Sequence, residues 1–226
     1  GLAAWTNLDN PGTHNASVIS VTETMLITAG ADGSRDSQGF LMNRQRATNS
    51  LNLDGELSST SDTGNYIDVG DLDSLDFGTN AFSVSFWTKI YADETQALVG
   101  KQDSSSGWYI YTDHTNNRIS FFHRKDDKYT HGSTDINDSN WHHVCFTRNG
   151  ATGKIYIDGA NDTGSTQDIS ADVDSAGDKL EIGRKNLGTT DDRYLNGKID
   201  DLCIYSDELS AAEVKRNYNA GKRSHR

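Results

Sequence analysis

The feature that most constrains this fold is a succession of short segments in which apolar and polar residues alternate. In Phe82–Ile90, for example, Phe82, Val84 and Phe86 share one face, because successive side chains of a β-strand point to opposite sides. Glycine or Asp-Gly ends many of these segments, which is typical of turns between antiparallel strands. The predicted strands are Leu51–Gly55, Tyr66–Gly70, Phe82–Ile90, Ala97–Lys101, Gly107–Thr112, Arg118–Arg124, Trp141–Arg148, Lys154–Asp158 and Lys179–Gly183.

Only one segment has the pattern of a helix. Ser210 and Glu213 form a capping box, and the residues from Leu209 to Asn219 carry apolar side chains at helical spacing. The predicted fold class is therefore all-β, an antiparallel two-sheet sandwich with a short C-terminal helix. Residues 1–48 contain few apolar residues beyond Val18–Ile27, so we interpret them as a strand-and-loop arm and residues 49–226 as the domain.

The stretch from Tyr194 to Tyr205 departs from simple alternation. Ile199, Leu202 and Ile204 cannot all face the same side of a regular strand. The doublet Asp200-Asp201 lies where the alternation breaks, which predicts a β-bulge. A carboxylate in an apolar strand must be paired, hydrogen-bonded or bound to a metal ion.

Charge and cysteine content narrow the classes of partner. The chain has 33 acidic and 21 basic residues, and all but six of the acidic residues are aspartates, which favour turns. This acidity argues against nucleic acid and anionic membranes as partners, and no run approaches the roughly 20 apolar residues of a membrane span. Asp-rich loops also suit calcium. The two cysteines, Cys145 and Cys203, are predicted in strands, and a bridge between them stays open.

Several motifs in order resemble the laminin-G-like, concanavalin A-like jelly-roll domains. They are LNLDG (51–55), NYIDV (65–69), FSVSFWTK (82–89), WHHVCFTRNG (141–150), KIYIDG (154–159), LEIGR (180–184), LNGKIDDLCIY (195–205) and LSAAEV (209–214). The resemblance covers about three-quarters of the chain and excludes residues 1–48. It implies a jelly-roll sandwich of the kind found in bacterial and phage surface proteins, and the composition is similar to that of phage structural proteins.

The resemblance also implies a structural calcium ion. In such domains an acid of the last strand and groups near the first strand hold the ion. By match, Asp200 is the last-strand ligand, and Asp54 or the backbone at Gly55 is its counterpart. The alternative is that Asp200 and Asp201 are exposed or accept hydrogen bonds from loop amides.

No pattern in the sequence indicates a catalytic site. Glycosidases of this superfamily carry acids two residues apart on one strand, because a nucleophile and an acid must lie roughly 5 Å apart. No strand here has Glu-x-Asp-x-Glu, and the motifs of polysaccharide lyases are missing. His142 and His143 occupy a position that is commonly structural in the family. We therefore expect a non-enzyme.

Candidate carbohydrate-binding residues are aromatic and polar side chains in the second half of the chain. Alternation places Tyr109 and Tyr111 on the face opposite Trp108, so one of these sets belongs to the core. The loop 186–194 must reach solvent. The candidates are Trp108, Tyr109, Tyr111, His123, Arg184, Asp191, Asp192 and Arg193.

Together these observations predict a non-catalytic module that binds glycans on a viral or bacterial surface protein and is stabilised by Ca²⁺. Its partner is an extracellular or cell-surface glycan, or another surface or virion protein, and its location is extracellular or on a virion. Two alternatives remain: a structural or decoration protein assembling through residues 1–48, as a homo-oligomer, or a polysaccharide-degrading enzyme with an unrecognised site.

Overall fold

The computed structural model describes residues 18–20, 51–53, 66–103, 105–113, 115–174, 177, 179–185 and 193–225. These residues form sixteen strands, a single turn of 3₁₀ helix at Asp73–Leu75 and one α-helix. The elements are β1 (Val18–Ser20), β2 (Leu51–Leu53), β3 (Tyr66–Gly70), β4 (Phe82–Ile90), β5 (Gln96–Gln102), β6 (Gly107–Asp113), β7 (Arg118–His123), β8 (Lys128–Asp135), β9 (His142–Asn149), β10 (Thr152–Ile157), β11 (Ala160–Asn161), β12 (Thr163–Thr166), β13 (Leu180–Ile182), β14 (Arg184–Lys185), β15 (Arg193–Tyr194), β16 (Gly197–Tyr205) and α1 (Ala211–Gly221).

The strands form two large sheets and one small one. The larger sheet has the order β1-β3-β13-β5-β6-β7-β8-β12, and the smaller has β11-β10-β9-β4-β16-β2. The strands β14 and β15 form a separate pair. Every described pairing is antiparallel except that of β1 with β3, which is parallel. The predicted antiparallel sandwich is confirmed.

Aromatic side chains from both sheets interlock in the core. Phe82 of β4 lies 5.4 Å from Trp108 of β6, measured between ring centroids, and Phe121 of β7 stacks on Phe146 of β9 at 3.8 Å. All four side chains are buried. Burial of each such ring contributes roughly 1.5–3 kcal/mol, so these contacts are a large part of what holds the sheets together.

The helix α1 covers the outer face of the smaller sheet. Ser83 Oγ donates to Asp207 O at 2.7 Å and accepts from Leu209 N at 2.9 Å, which fixes the segment before the helix on β4. Leu209 and Val214 then pack against Cys145. Both faces of β4 are consequently buried, although its alternating sequence suggested one polar face.

The helix was predicted from Leu209 to Asn219 and runs from Ala211 to Gly221, two residues further along the chain at each end. Ser210 Oγ accepts from Glu213 N, and Glu213 Oε2 accepts from Ser210 N at 2.8 Å, so the predicted capping box is confirmed. At the other end, Gly221 lies directly against Trp87. A Cβ atom at Gly221 would be 2.3 Å from Trp87 Nε1, so only glycine permits this approach.

The predicted bulge in the last strand is also confirmed. The register of β16 against β4 shifts between Asp200 and Cys203, and Asp201 has a φ of 49° in the left-handed region. The extra residue brings Ile199, Leu202 and Ile204 onto the core side, where all three are buried.

The two cysteines lie on strands that flank β4. Ser85 pairs with Cys145 on one side and with Cys203 on the other, so the two cysteines lie two strands apart, and neither forms a disulfide. Neighbouring strands lie about 4.8 Å apart, so residues separated by two such spacings are about 10 Å apart. Bridged cysteines need Cα atoms within about 7 Å, so a disulfide between Cys145 and Cys203 is excluded.

The N-terminal arm is described only at Val18–Ser20, which pairs with Tyr66–Asp68 at the edge of the larger sheet. The rest of residues 1–48 lies outside the described residues, so the assembly role assigned to it stays a prediction. Among the described residues, no helix has both the length and the apolar character needed to cross a membrane.

Candidate functional site

The outer face of the larger sheet carries a cluster of aromatic side chains. Residues directly opposite each other in antiparallel strands share a face. Tyr109 of β6 is opposite Phe122 of β7, which in turn is opposite Tyr129 of β8. In the adjacent row, Tyr111 is opposite Ser120, and Ser120 is opposite His131. The aromatic cluster is here defined as Tyr109, Tyr111, Phe122, Tyr129 and His131.

The rings of the aromatic cluster touch one another across the three strands. Centroid distances are 5.1 Å for Tyr109 and Phe122, 4.7 Å for Phe122 and Tyr129, and 5.1 Å for Tyr109 and Tyr111. Tyr129 also stacks on His131 at 5.4 Å. These are the spacings of favourable aromatic pairs, so each ring orients its neighbours.

Exposure divides the aromatic cluster into a base and a rim. Phe122 and Tyr109 are 3% and 8% exposed, whereas Tyr111, Tyr129 and His131 are half-buried. Burial raises the pKa of Tyr109 and of Tyr111 well above the usual value, so both phenols are neutral hydrogen-bonding groups. The result is an apolar surface with phenol hydroxyls, which suits a ligand that is itself both apolar and hydroxylated.

Ser120 orients the imidazole at this rim. Its Oγ lies 2.8 Å from His131 Nδ1. Burial and the nearby Arg118 lower the pKa of His131, which keeps its ring neutral near pH 7. His131 can therefore contact a ligand through the face of a neutral ring and through Nε2, because Nδ1 faces Ser120.

Cationic side chains border the aromatic cluster. The ammonium of Lys185 lies 5.5 Å from the centroid of Tyr109, and the guanidinium of Arg124 lies 5.8 Å from that of Phe122. Arg184 lies over Tyr66 at 4.2 Å and its Nε is 3.7 Å from a carboxylate oxygen of Glu181. These cations are positioned by aromatic faces, which are attractive partners for them.

Four of the predicted carbohydrate-binding residues meet on this face. Tyr109 and Tyr111 belong to the aromatic cluster, and Arg184 lies in the β14–β15 pair, which contacts β5. Arg193 is directly opposite Lys185 in the same ladder, and the ammonium of Lys185 lies over the ring of Tyr109. Asp191 and Asp192 lie outside the described residues.

Two predicted residues require correction. Trp108 is 1% exposed and packs between Phe82 and Phe121 in the core, so its ring cannot stack on a ligand. His123 is fully buried on the inner face opposite Trp108, with Nε2 3.1 Å from Asp172 O. Alternation along β6 had separated the two faces correctly, but did not show which face was the core.

Sequence reasoning missed Phe122, Tyr129 and His131. The alternation in β7 places Phe122 on the face of Ser120, which was a usable signal once β7 was paired with β6. The strand β8 was not predicted, because its sequence KYTHGSTD has no aliphatic residue. Tyr129 and His131 are two residues apart, so placing this segment in a strand would have put both side chains on the same face.

The described residues do not assemble a calcium site around Asp200. One oxygen of Asp200 accepts from Asp201 N at 2.9 Å, and the other lies 3.1 Å from His225 Nε2. No group of three or more His, Cys, Asp or Glu residues suited to a metal ion occurs within the described ranges. Asp54 and Gly55 lie outside them, so the calcium ion stays a prediction.

The cation that does contact Asp200 is a histidine. His225 Nδ1 lies 2.9 Å from Gly221 O, and Nε2 faces the Asp200 carboxylate, so both nitrogens face acceptors and the ring carries two protons. The ring also stacks on Trp87 at 4.3 Å. This arrangement binds the end of the described chain to β16.

A second serine–histidine contact lies beneath α1. Ser85 Oγ is 2.9 Å from His143 Nε2, but His143 Nδ1 has no partner within the described chain. Burial lowers the pKa of His143 to about 4. Both residues are buried, so this pair lacks the orienting acid and the access that nucleophilic catalysis requires.

Comparison with known proteins identifies the same two-sheet architecture that the strand pairing shows. The family model described as the concanavalin A-like lectin/glucanases superfamily matches residues 61–215. A search of curated proteins found no significant match. Similar solved structures include botulinum neurotoxin type C, which depends on two ganglioside molecules to enter cells (TM-score 0.55, 22% identity, 72% of this chain and 41% of that one).

Two further structures are similar at the level of the fold. They are the binding domain of Paraclostridial Mosquitocidal Protein 1 (TM-score 0.57, 18% identity, 76% of this chain and 46% of that one) and the binding domain of botulinum neurotoxin DC in complex with rat synaptotagmin II (TM-score 0.55, 20% identity, 72% and 41%). This chain thus spans less than half of each of these structures.

Proposed function

Since the chain belongs to the concanavalin A-like lectin/glucanase superfamily, we propose that it is a non-catalytic recognition module that binds a glycan on the outer face of its larger sheet. The aromatic cluster is the observation that carries this proposal. Sugar rings present apolar C–H faces and a rim of hydroxyls, which match the half-buried faces of Tyr111 and Tyr129 and the neutral phenols beside them.

The structural neighbours support a binding role in general terms. Botulinum neurotoxin type C depends on gangliosides to enter cells, and the binding domain of botulinum neurotoxin DC was solved in complex with rat synaptotagmin II. The same architecture therefore serves glycan and protein recognition. For this chain we favour a glycan, because the half-buried rim of the aromatic cluster is formed by tyrosines and a histidine and not by aliphatic side chains.

A surface location is part of the same proposal. A glycan-binding module meets its ligand on a cell surface, in the extracellular space or as part of a virion. The acidic balance of the chain supports a neutral rather than a nucleic-acid partner, because a net charge of -12 repels phosphate backbones.

Glycan-array binding tests the proposal. We expect the wild-type chain to bind one class of oligosaccharide, and Tyr111→Ala and Tyr129→Ala each to weaken binding by up to about tenfold through loss of stacking. Tyr91→Ala is the matched control, because Tyr91 is 43% exposed and lies in the segment after β4. Absence of glycan binding, or equal losses in all three variants, would contradict the proposal.

A further inference from the structure

Basic residues are concentrated at one end of this acidic chain. Residues 1–208 contain 32 acidic and 16 basic residues, which gives a formal charge of -16, whereas residues 209–226 contain one acidic and five basic residues, which gives +4. Four of these five basic residues lie on α1 or directly after it and are exposed to solvent: Lys215, Arg216, Lys222 and Arg223. These four residues are here called the basic stripe.

The spacing of the basic stripe places its side chains on one face of α1. Lys215 and Lys222 are seven residues apart, as are Arg216 and Arg223. Seven residues are close to two turns of an α-helix, so the members of each pair lie in a row along the helix, roughly 10 Å apart. The C-cap residue Lys222 keeps right-handed helical angles, with φ -53° and ψ -28°, so this spacing continues to the end of the helix. The result is two adjacent rows of positive charge on an exposed surface.

The basic stripe is not neutralised by nearby acids of the described chain. Within the described ranges, no Asp or Glu oxygen lies within 4 Å of Lys215, Lys222 or Arg223. Lys154 and Lys179, in contrast, lie 2.8 and 2.6 Å from a carboxylate oxygen. The charge of the stripe is therefore open to another molecule, in a chain that has 33 acidic residues of its own.

The neighbours of the basic stripe orient its side chains and leave them charged. The ammonium groups of Lys215 and Lys222 lie 4.8 and 5.2 Å from the ring centroid of Tyr218, and an aromatic face attracts a cation. Glu213, the acidic residue of α1, accepts instead from the backbone N–H and the hydroxyl of Ser210 in the capping box. The two lysines are thus held in place while their positive charge is retained.

The size of the basic stripe indicates which kind of anion it can bind. Because Val214 and Gly221 pack α1 onto the smaller sheet, the stripe lies close to the acidic remainder of the chain. Charges act over roughly 8 Å at physiological ionic strength. An extended polyanion, such as nucleic acid or a charged bilayer, reaches beyond the stripe and is repelled by that remainder. The apolar side of α1 is buried, so the helix cannot insert into a bilayer either. A short anionic segment avoids this repulsion.

We propose that the basic stripe is an interaction surface for a short acidic peptide segment of a partner protein. Acidic side chains about 10 Å apart, which are seven residues apart in a helix or three in an extended segment, meet both ends of a row. Each exposed ion pair contributes little, so the affinity depends on several pairs together and falls as salt rises. The stripe lies on the outer side of the smaller sheet and the aromatic cluster on that of the larger sheet, so this surface is independent of the proposed glycan site.

Fluorescence anisotropy of a labelled synthetic peptide tests this inference. The probe carries glutamate at every third position, and the same peptide with glutamine in those positions is the blank. We expect the glutamate peptide to bind the wild type at low salt and to dissociate as salt is raised, and the blank not to bind. A variant that combines Lys222→Gln and Arg223→Gln should bind the glutamate peptide about fivefold more weakly, because it removes half of the stripe.

The matched control combines Lys125→Gln and Lys128→Gln, which removes the same charge at the start of β8 and in the turn before it. It should bind the glutamate peptide as tightly as the wild type does. Equal losses in the two double variants would show an effect of net charge alone and overturn the proposal, as would absence of binding at low salt. Thermal melting verifies that both variants are folded.

Three further measurements separate the possible occupants. Tighter binding of a DNA duplex or of phosphatidylserine vesicles than of the peptide overturns the assigned partner. Self-association of the wild type at low salt, measured by light scattering and lost in the variant of Lys222 and Arg223, would assign the surface to a second copy and overturn it as well. Glycan-array binding by that variant should equal that of the wild type, so failure of this inference and failure of the proposed function are distinguishable.

Discussion

At the scale of single residues, His142 is held as a cation by two aspartates. Its Nδ1 lies 3.0 Å from Asp158 Oδ2, and its Nε2 lies 3.1 Å from Asp138 Oδ1. Carboxylates only accept, so both ring nitrogens donate and the ring is an imidazolium. The hydrogen bond to Asp158 raises the pKa of His142, burial opposes this, and the bond to Asp138 raises the pKa further.

This pair of contacts predicts a pH-dependent contribution to stability. Because the folded-state pKa of His142 is raised, its contribution is fully present below about pH 6.5 and is lost as pH rises through the folded-state pKa. We expect His142→Gln to lower the free energy of unfolding by about 1–2 kcal/mol near pH 6, with the difference shrinking at alkaline pH. Denaturant unfolding across that pH range measures it.

His131→Gln is the control, because the contribution of His131 to the free energy of unfolding should change with pH in the opposite direction. Burial lowers the pKa of His131, so its neutral form is favoured in the folded protein and its contribution grows as pH rises. The two variants should therefore change with pH in opposite directions. A His142→Gln difference that is constant from acid to alkaline pH would show that the imidazolium contributes nothing.

At the scale of elements, strands with apolar alternation were predictable and polar strands were not. The bounds of β4 match the prediction, since Phe82, Val84 and Phe86 are strongly apolar and the strand lies in the middle of its sheet. The strands β8 and β12 are polar and were missed, because they owe their conformation to backbone pairing with neighbours. The aromatic cluster was only half predictable for the same reason, since Tyr129 and His131 lie on β8.

The capping box of α1 gives a prediction at this scale. Ser210→Ala removes the hydroxyl that accepts from Glu213 N and should cost about 1 kcal/mol of unfolding free energy. Asn219→Ala, at an exposed position of the same helix, is the control and should be neutral or slightly stabilising. Chemical denaturation of the two variants measures the difference, and equal stabilities would mean that packing on β4 alone fixes the start of the helix.

At the scale of the whole molecule, many aspartates act in turns. Each of several aspartates accepts from a backbone N–H two residues further on, which closes the turn without a metal ion. These aspartates are Asp103, Asp113, Asp135, Asp138, Asp168 and Asp172. The richness in aspartate that suggested calcium from the sequence is thus partly explained by turn formation.

The calcium prediction is tested on the intact chain. If an ion binds at Asp200 with Asp54 or Gly55, calcium should raise the melting temperature relative to EDTA, since a ligand of the folded state stabilises it. Asp200→Asn should abolish that difference. His225→Gln is the control, because it removes the partner of Asp200 and should lower the melting temperature while keeping the calcium effect. Equal melting temperatures of the wild type in calcium and in EDTA would show that no stabilising calcium ion binds.

The position of β16 has a consequence for how the chain folds. This strand lies between β4 and β2, and Ile199 pairs with both Thr88 and Leu51, so the smaller sheet joins early and late parts of the described chain. Pairings between distant parts of a chain require large loops to close before they become favourable, which makes folding slow. During synthesis β4 therefore keeps one edge open until β16 emerges, and an open edge invites pairing with other chains.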